Sequence, residues 1–351
     1  MSLVFKEVNL GEWGRFERAY PGSHIFQSAR RANLRSKMGY TNHIVGVYDG
    51  GILIAGGVLL GRNREFWMAY GPLIDWYNLE LVQFFLKGMT NFAKEKGIVR
   101  LEIFPDLLLS TRDNKGKILT KFNRDNLKQL FDRAGYRYEG ETVKYEMKAG
   151  RWAFTKDLTE IKTVEELRAT YRKTLRARLR QTEGLVEVKE LSRDGLEQMI
   201  GLIDESDSHH GVAGRELDYY EKMFDNLDIN VRFLIAVKAD DQTPIAGAIF
   251  LYNGREVASF LSGMNREYRN LNGRAWLQDY VMRDALNSGV DRVNFFWVEG
   301  NFQDNKLLEF KSGFGGVVEE YIGGFEKIIR PSAYLAKRVV RKLRSILRKL
   351  H

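Results

Sequence analysis

The sequence of 351 residues contains no cysteine and only five prolines. The absence of cysteine excludes disulfides, thiolate nucleophiles and thiolate metal sites. It indicates a reducing compartment or indifference to the redox state of the surroundings. The scarcity of proline, together with 44% hydrophobic residues, excludes collagen-like and disordered chains, because disordered chains lack the apolar side chains that offset the entropy of ordering. The chain is therefore predicted to fold around a sizeable core, and its length favours two domains.

Long apolar runs are equally scarce. The longest nearly apolar run, residues 51–61, is far shorter than the roughly 20 residues that cross a bilayer, and the chain does not open with a basic segment followed by an apolar stretch. A cytoplasmic protein without transmembrane helices is therefore expected. The formal net charge is +9, yet residues 328–351 hold eight Lys or Arg and no Asp or Glu. Most of the basicity therefore belongs to the C-terminal tail.

What the sequence does contain is an internal repeat. Residues 54–73 (IAGGVLLGRNREFWMAYGPL) resemble residues 245–264 (IAGAIFLYNGREVASFLSGM), and each segment predicts two strands joined by a turn. In both halves a helix-period stretch ends at a glycine and is followed by a strand, RLEIF or RVNFF. Further on, LFDRAGYR matches LEFKSGFG as a short helix that turns into another strand. Three matches in the same order predict two copies of one mixed α/β unit.

This order of elements resembles that of the GNAT acyltransferases, in which two central strands separate and the gap admits an acyl carrier. The expected fold class is therefore α/β (α+β), with tandem GNAT-like domains, mixed central sheets and a basic amphipathic helix at the C-terminus. The expected boundaries are residues 1–150 for the first domain, 151–317 for the second and 331–351 for the helix.

An amphipathic pattern runs through residues 334–351. Apolar residues lie along one side, and the basic residues lie mostly around the other, among them Lys337, Arg338, Arg341 and Lys342. Basic amphipathic helices lie in anionic membrane surfaces, where each basic residue contributes about 1 kcal/mol. We therefore expect peripheral contact with the inner face of the plasma membrane. Docking on the protein's own core, or on RNA, is the alternative.

A second basic segment opens the second half of the chain. Arg172, Lys173, Arg176 and Arg180 lie in a stretch without acidic residues between positions 166 and 183. On a helix, Arg172, Arg176 and Arg180 line one face, where like charges repel unless an anion lies across them. These residues are therefore predicted to bind a phosphate-rich partner. A merely solvated basic face is the alternative.

Two weaker patterns keep other functions open. The segment NLNGRA, residues 270–275, is one residue away from the [QR]-x-x-G-x-[GA] loop that cradles the pyrophosphate of coenzyme A. An acyl-CoA-dependent N-acyltransferase that acts on a polysaccharide or lipid precursor is therefore the first alternative. A non-catalytic RNA- or membrane-binding adaptor is the second. The adjacent His209 and His210 lack the spacing of metal ligands, so no metal site is predicted.

The sequence resembles the Fem (FemABX) family of peptidoglycan bridge-forming aminoacyltransferases, which are tandem GNAT-like proteins. The resemblance is carried by YGPLID (70–75), KTLRARLRQTEGLVEV (173–188), HHGVAGRELDYYEKMF (209–224) and LLEFKSGFGGVVEEYIGGFE (307–326). It implies transfer of an amino acid from aminoacyl-tRNA to an amine on the stem peptide of a peptidoglycan precursor, either lipid II or UDP-MurNAc-pentapeptide. No cofactor, neither a metal nor coenzyme A, is implied. The chain resembles the shorter members, in which a last strand, here near residues 318–330, returns to the first domain.

The resemblance also implies roles for particular residues. In FKSGFG, the family's Phe-Lys pair falls on Phe310 and Lys311, where the lysine helps the acyl transfer and the aromatic ring lies near the aminoacyl end. In the family, the arginine and tyrosine of an R-x-x-x-Y pattern contact the precursor's phosphates or sugar, and here they fall on Arg215 and Tyr219.

The first half contributes two further candidates. The segment HIFQSARRANLRSK resembles the family's substrate helix, which makes Gln27 and Arg35 candidates for substrate binding. The chain departs from the family at Ser259–Leu261, where tyrosines are usual, and after VNFFWVEG (293–300), where a glycine pair is usual. These departures leave the acceptor pocket undetermined.

The chemistry of aminoacyl transfer requires chiefly placement, because the ester of an aminoacyl-tRNA is already activated. The enzyme must bring a neutral amine to the carbonyl and stabilise the oxyanion that forms. An ammonium within hydrogen-bond reach is an oxyanion donor, which predicts that role for Lys311; a solvated lysine at a helix end is the alternative. Asp279, Glu299 and Glu309 are candidates for a general base that the sequence does not rank.

Overall fold

The computed structural model describes residues 2–140, 142, 149–209 and 214–350, with side chains for all of these except 204–209 and 341–350. The chain folds into two compact units. The first unit comprises Met1–Leu109, Phe122–Thr142 and Tyr321–His351, and the second comprises Ser110–Lys121 and Val143–Glu320.

The first unit is built on a mixed sheet of seven strands. In spatial order the strands are Leu3–Glu7, Thr41–Asp49, Ile52–Arg62, Glu65–Ala69, Arg100–Phe104, Phe325–Ile328 and Arg137–Tyr138. Glu65–Ala69 and Arg100–Phe104 run parallel, and the other neighbours are antiparallel. The α-helices of this unit are Leu10–Ala19, Ala29–Lys37, Leu79–Glu95, Asp125–Arg133 and Pro331–Leu350.

The longest core helix of the first unit, Leu79–Glu95, follows from local sequence rules. It begins after Asn78, whose Oδ1 accepts the N–H of Leu81 at 3.0 Å. It ends before Gly97, which adopts a left-handed φ of 65° at no steric cost. Its apolar stripe, centred on the fully buried Phe85, packs into the core of the unit. The Gly97 stop and the apolar period are the signals from which the sequence predicted this helix.

The second unit is built on a mixed sheet of nine strands. In spatial order the strands are Val186–Glu190, Val231–Lys238, Pro244–Asn253, Glu256–Met264, Arg292–Trp297, Trp152–Asp157, Val317–Tyr321, Leu108–Arg112 and Ile118–Lys121. The α-helices are Val164–Ala169, Lys173–Thr182, Leu196–His209, Leu217–Leu227, Gly273–Asn287 and Lys306–Ser312. The core lies between these helices and the sheet.

The internal repeat is present in three dimensions. Each unit has an antiparallel hairpin, a helix and then a strand that runs parallel to the second strand of the hairpin. The mixed sheets and the duplicated order confirm the predicted α/β fold class. The repeat is readable in the sequence because a period of two in strands and 3.6 in helices survives divergence of the individual side chains.

Two of the domain boundaries in the structure differ from those expected from the sequence. Ser110–Lys121, expected in the first domain, is a hairpin on the edge of the second sheet. Of residues 318–330, only Phe325–Ile328 joins the first sheet, because Val317–Tyr321 pairs with Trp152–Asp157 in the second. Glu320 explains both differences: its buried carboxylate accepts hydrogen bonds from Ser110 at 2.6 Å, Arg112 at 2.9 Å and Arg151 at 3.0 Å.

The C-terminal segment Pro331–Leu350 is a single helix of 20 residues. Its polar side meets the first unit, because Lys337 donates to the carbonyl of Asn63 and lies 3.5 Å from a carboxylate oxygen of Glu65. Leu335 and Val339, on the apolar side, remain 58% and 59% exposed. Docking of this apolar side on the protein's own core is therefore not observed for the described residues. No helix in the described part of the chain has the length and apolar character needed to cross a membrane.

Candidate active site in the second unit

Two parallel strands separate in the second unit. Glu256–Met264 and Arg292–Trp297 pair only as far as Ala258 and Asn294, after which each strand continues without the other. The equivalent strands of the first unit stay paired over their whole length, from Glu65 and Arg100 onward. We call the opening between residues 259–264 and 295–297 the strand gap. Of the two repeats, the second therefore carries the strand separation that the GNAT-like order of elements predicts.

Both strands are distorted where the gap begins. The register between the strands of the second hairpin passes from Leu261 to Ser259 and leaves Phe260 as the extra residue of a β-bulge. On the other strand, Phe296 has a φ of 55°, a left-handed conformation that side chains other than glycine seldom adopt. The rings of Phe260 and Phe296 lie 6.0 Å apart. The two irregularities therefore line the gap with an aromatic pair.

Lys311 lies behind the strand that carries Phe296. It is on the short helix Lys306–Ser312 and is only 8% exposed. Its Nζ donates to the carbonyls of Phe295 at 2.6 Å, Phe296 at 3.3 Å and Trp297 at 2.7 Å. Because an ammonium has three N–H groups, these three carbonyls use all of them. Lys311 therefore holds the irregular segment in place, and the alternative of a solvated lysine is wrong.

Arg274 gives this region a second positive charge. Its guanidinium carbon lies 5.1 Å from the ring centroid of Phe310, which is half-buried and packs edge-on against Phe314. Burial, and next the charge of Arg274, lowers the pKa of Lys311 to about 7. Burial also lowers the pKa of Arg274. The predicted Phe310 and Lys311 thus lie beside a half-buried cation, Arg274, that no sequence motif indicated.

The arginine-rich segment forms the predicted helix, Lys173–Thr182, but its residues have different roles. Arg172 donates to the carbonyl of Glu309 at 2.6 Å and to Ser312 Oγ at 3.1 Å, which ties it to the helix of Lys311. Arg176 is half-buried and donates to the carbonyl of Ala169 at 3.3 Å. Main-chain carbonyls therefore relieve the repulsion that the i, i+4 spacing predicted.

The two remaining basic residues of the prediction, Lys173 and Arg180, are exposed. Next to Arg172 lies a cavity of about 390 Å³ with a mostly polar lining. The side chains that line it are Asn114, Arg172, Phe302, Asp304, Asn305, Lys306, Leu308, Glu309 and Ser312. Arg172 therefore connects the start of the basic helix with a concave, polar surface.

The three carboxylates considered as general bases occupy different environments. Asp279 is fully buried between the guanidinium groups of Arg168, at 2.7 Å, and Arg283, at 3.0 Å. Glu309 and Glu299 are exposed. Asp279 is therefore a structural ion-pair partner, because guanidinium groups from two different helices hold its carboxylate inside the core.

Gln27 has a structural role rather than the expected substrate contact. Its side chain is 0% exposed. Its Nε2 donates to the carbonyl of Ala69 at 2.7 Å, and its Oε1 accepts the N–H of Val58 at 2.7 Å. The Gln27 carbonyl also accepts the indole N–H of Trp13 at 2.7 Å. Both ends of the amide are hydrogen-bonded inside the core, and the side chain has no exposed surface.

Arg35 lies in a cationic cluster of the first unit. Its guanidinium carbon is 3.9 Å from the ring centroid of Tyr40, and that of Arg62 is 3.8 Å from the same ring. Arg62 also donates to the carbonyl of Met38 at 2.6 Å. Two guanidinium groups on one ring favour a nearby anion. Sequence reasoning found Arg35 but missed Arg62, because the two are distant in the chain and no motif links them.

Arg215 and Tyr219 are brought together at the start of the helix Leu217–Leu227. The guanidinium carbon of Arg215 lies 5.5 Å from the ring centroid of Tyr219. His210, and the side chain of His209, lie outside the described residues. Within the described part of the chain, no group of three or more His, Asp or Glu residues is arranged to hold a metal ion. Arg341 and Lys342 likewise have no described side chains.

The glycine of the NLNGRA segment is explained by packing. Gly273 opens the helix Gly273–Asn287 after Asn272, whose φ is 54°. A Cβ at Gly273 would lie 2.9 Å from the Cβ of Ala246 and 3.1 Å from the side chain of Ile245. Close approach of the helix to the hairpin therefore requires glycine whether or not a phosphate binds here.

Comparisons with known proteins agree with this architecture. The sequence profile of the FemAB family matches residues 9–238 and 236–342. Aminoacyltransferase FemA of Staphylococcus aureus (strain bovine RF122 / ET3-1) is 23% identical over 422 aligned positions, which cover 97% of this chain and 99% of the relative.

Solved structures show the same fold. The crystal structure of FemX matches with a TM-score of 0.80 at 15% identity, over 95% of this chain and 99% of that one. A tandem GNAT protein from the clavulanic acid biosynthesis pathway matches with a TM-score of 0.53 at 10% identity, over 93% of this chain and 99% of that one. The fold is therefore that of tandem GNAT-like acyltransferases.

Proposed function

The chain belongs to the FemAB family, and from this premise we propose that this aminoacyltransferase moves an amino acid from aminoacyl-tRNA to an amine of the stem peptide of a peptidoglycan precursor. The single observation that carries the proposal is the strand gap of the second unit, with Phe260 and Phe296 on its walls. A preformed gap between strands holds an acyl group in one orientation, and orientation is the main requirement of a reaction whose ester is already activated.

The proposed binding of the aminoacyl-tRNA donor is supported by the basic helix Lys173–Thr182. Lys173 and Arg180 are exposed on the surface, while Arg172 joins this helix to the one that carries Phe310 and Lys311. Lys and Arg side chains bind RNA chiefly through its phosphates. An RNA strand on this helix would lead its aminoacyl end toward the strand gap, where Phe310 and Lys311 build the wall behind Phe296.

The proposed binding of the acceptor is supported by arginine side chains that lie against tyrosine rings. A peptidoglycan precursor carries a diphosphate, and guanidinium groups bind phosphate through two parallel hydrogen bonds. Arg35 and Arg62 on the ring of Tyr40 have this chemistry, and so does Arg215 beside Tyr219. We assign Arg215 and Tyr219, in the second unit, to the phosphates or sugar of the acceptor. Arg35 and Arg62, in the first unit, are a separate candidate for binding a phosphate-bearing substrate.

The C-terminal helix favours lipid II over a soluble acceptor. Lys337, on the polar side of this helix, contacts the rest of the first unit. Leu335 and Val339, on the apolar side, therefore face away from the contact and stay exposed. An outward apolar side flanked by Lys and Arg is suited to an anionic membrane surface. In this proposal the helix, with Arg338, Arg341 and Lys342, holds the enzyme at the inner face of the plasma membrane, where a lipid-linked acceptor resides.

The test is transfer of a radiolabelled amino acid from a charged total-tRNA pool to lipid II and, separately, to UDP-MurNAc-pentapeptide. Label in either acceptor that is abolished by ribonuclease pretreatment of the donor is the expected result, and the preferred acceptor identifies the substrate. Absence of label from both acceptors, together with thermal stabilisation by acetyl-CoA, would replace the proposal with acyl-CoA-dependent transfer. If no label is transferred and acetyl-CoA does not stabilise the protein, a non-catalytic adaptor is favoured.

The double substitution Leu335→Glu and Val339→Glu is expected to weaken sedimentation with vesicles of phosphatidylcholine and phosphatidylglycerol by at least about tenfold. Two buried aliphatic side chains supply more binding energy than that. Activity on lipid II in the same vesicles should fall in parallel, while activity on the soluble acceptor should not. The matched control is Ile52→Glu with Ile229→Glu, because these side chains are 71% and 77% exposed elsewhere on the protein. Equal binding by both double variants would contradict membrane contact through this helix.

A further inference from the structure

The helix Gly273–Asn287 presents two polar side chains to the strand gap. Arg274 and Gln278 are four residues apart and therefore lie on one face of the helix. Gln278 reaches the point where the strands separate, because its Oε1 accepts a hydrogen bond from Ser259 Oγ at 2.7 Å. Arg274 lies against Phe310, beside the wall that Lys311 supports. Together they form a polar edge along the gap.

Each of these two side chains has a buried donor without an acceptor. Within the described part of the chain, Gln278 Nε2 and Arg274 Nε have no hydrogen-bond partner. Gln278 is only 5% exposed, so bulk water does not compensate its amide. Nearly all buried N–H groups in native proteins are paired, and exceptions mark strain or a ligand site. The unpaired amide of Gln278 therefore indicates an absent acceptor atom, and Arg274 adds a positive charge on the same face of the helix.

Lys311 differs from Arg274 and Gln278 in this respect. Its three N–H groups all point to the main-chain carbonyls of Phe295, Phe296 and Trp297. To donate to an oxyanion it would have to release one of these carbonyls, which would then be buried without a donor. The unpaired donors beside the gap belong to the helix Gly273–Asn287 instead.

On the basis of the aminoacyl transfer proposed above, we propose that Gln278 Nε2 and the guanidinium of Arg274 bind the oxyanion of the reaction. The acceptor amine attacks the ester carbonyl carbon, the new C–N bond forms, and the carbonyl electron pair becomes the oxyanion. The amine releases a proton to solvent. The oxyanion then collapses, the bond to the ribose oxygen breaks, and that oxygen takes a proton to become a hydroxyl. Fixed donors that pair only with the charged intermediate lower the barrier of the first step.

The test compares Gln278→Met, which keeps the length of the side chain but removes its donors, with wild type in the tRNA-dependent transfer assay. We expect kcat to fall about 100-fold while KM for the aminoacyl-tRNA is unchanged, because the interaction exists only in the transition state. Gln83→Met is the matched control, since Gln83 is exposed on a helix of the first unit. Arg274→Met should show the same split between kcat and KM.

A second measurement separates binding of the oxyanion from a structural role. A phosphonate analogue of the tetrahedral intermediate, built on the aminoacyl end of the RNA, should lose affinity for Gln278→Met in proportion to the loss of kcat/KM. Affinity for the uncleaved aminoacyl-RNA should not change. Gln278→Glu, which keeps the acceptor for Ser259, serves as a second variant if Gln278→Met does not fold.

The outcomes distinguish this inference from the proposed function. If wild type transfers no amino acid, the proposed function fails. If wild type is active while folded Gln278→Met and Arg274→Met keep their kcat, the oxyanion assignment is overturned. A loss of affinity for substrate and analogue in equal measure would also overturn it.

Discussion

Replacing Lys311 with methionine is expected to lower the free energy of unfolding by about 3 kcal/mol, because three buried carbonyls lose their donor. Those carbonyls belong to Phe295, Phe296 and Trp297, and the segment includes the left-handed φ of Phe296. Methionine fills nearly the same volume, so the loss reports the hydrogen bonds rather than a cavity. Denaturant unfolding followed by tryptophan fluorescence measures the change. The transfer activity of the variant should fall in proportion to the fraction of folded protein.

The pH dependence of stability gives this prediction a second readout. The pKa of Lys311 is lowered to about 7 in the folded protein, whereas an unfolded lysine titrates near 10.4. Between these values the unfolded state binds more protons, so the free energy of unfolding rises with pH, by about 2 kcal/mol from pH 7 to pH 9 for this group. Lys311→Met should remove that contribution. Lys156, whose pKa burial lowers to about 8, should leave a smaller slope of the same sign.

The control for Lys311→Met is Lys306→Met on the same helix, because Lys306 is exposed. Its stability should stay within about 0.5 kcal/mol of wild type. A Lys311→Met protein that is as stable as wild type but inactive would contradict the structural role. It would restore Lys311 as the oxyanion donor that the chemistry of aminoacyl transfer predicted.

Replacing Gln27 with leucine is expected to lower the free energy of unfolding by about 3 kcal/mol without raising KM for the acceptor in the remaining folded enzyme. The substitution leaves the carbonyl of Ala69 and the N–H of Val58 buried and unpaired, and each such group costs about 1–3 kcal/mol. Thermal unfolding and acceptor titration in the transfer assay measure the two quantities.

Arg35→Ala is the informative comparison for Gln27→Leu, since both residues were predicted as substrate contacts. Arg35 stacks on Tyr40 with half-buried side-chain atoms, so its loss should cost less than about 1 kcal/mol of stability. KM for a phosphate-bearing acceptor should rise about tenfold, because one guanidinium contact is lost. A raised KM for Gln27→Leu, or an unchanged KM for Arg35→Ala, would reverse the assignment of the two residues.

Several features of the fold follow from the sequence without knowledge of the structure. Residues 54–73 and 245–264 share their alternation of apolar side chains, and each segment forms the hairpin that this pattern predicts. The helix Lys173–Thr182 and the C-terminal helix Pro331–Leu350 also form where their patterns predict helices. Such elements depend on neighbours within a few residues, so local periodicity is sufficient to predict them.

The boundary of the second unit was less predictable. Ser110–Lys121 joins the second sheet because Glu320, some 200 positions later, binds Ser110 and Arg112. A pairing at that separation leaves no periodic trace around either partner. The same holds for the two guanidinium groups on Tyr40, which come from a helix and from the end of a strand.

The sequence by itself determined the duplicated α/β architecture, the basic amphipathic C-terminus and the resemblance that led to the family. Only the tertiary structure decided which polar residues are structural and which are open to a ligand. Gln27 and Gln278 are the same residue type in buried positions, yet the first has partners at both ends of its amide and the second has an unpaired donor. The physical reason is that a hydrogen bond depends on the position of its partner, and that partner is brought close only when distant parts of the chain pack together.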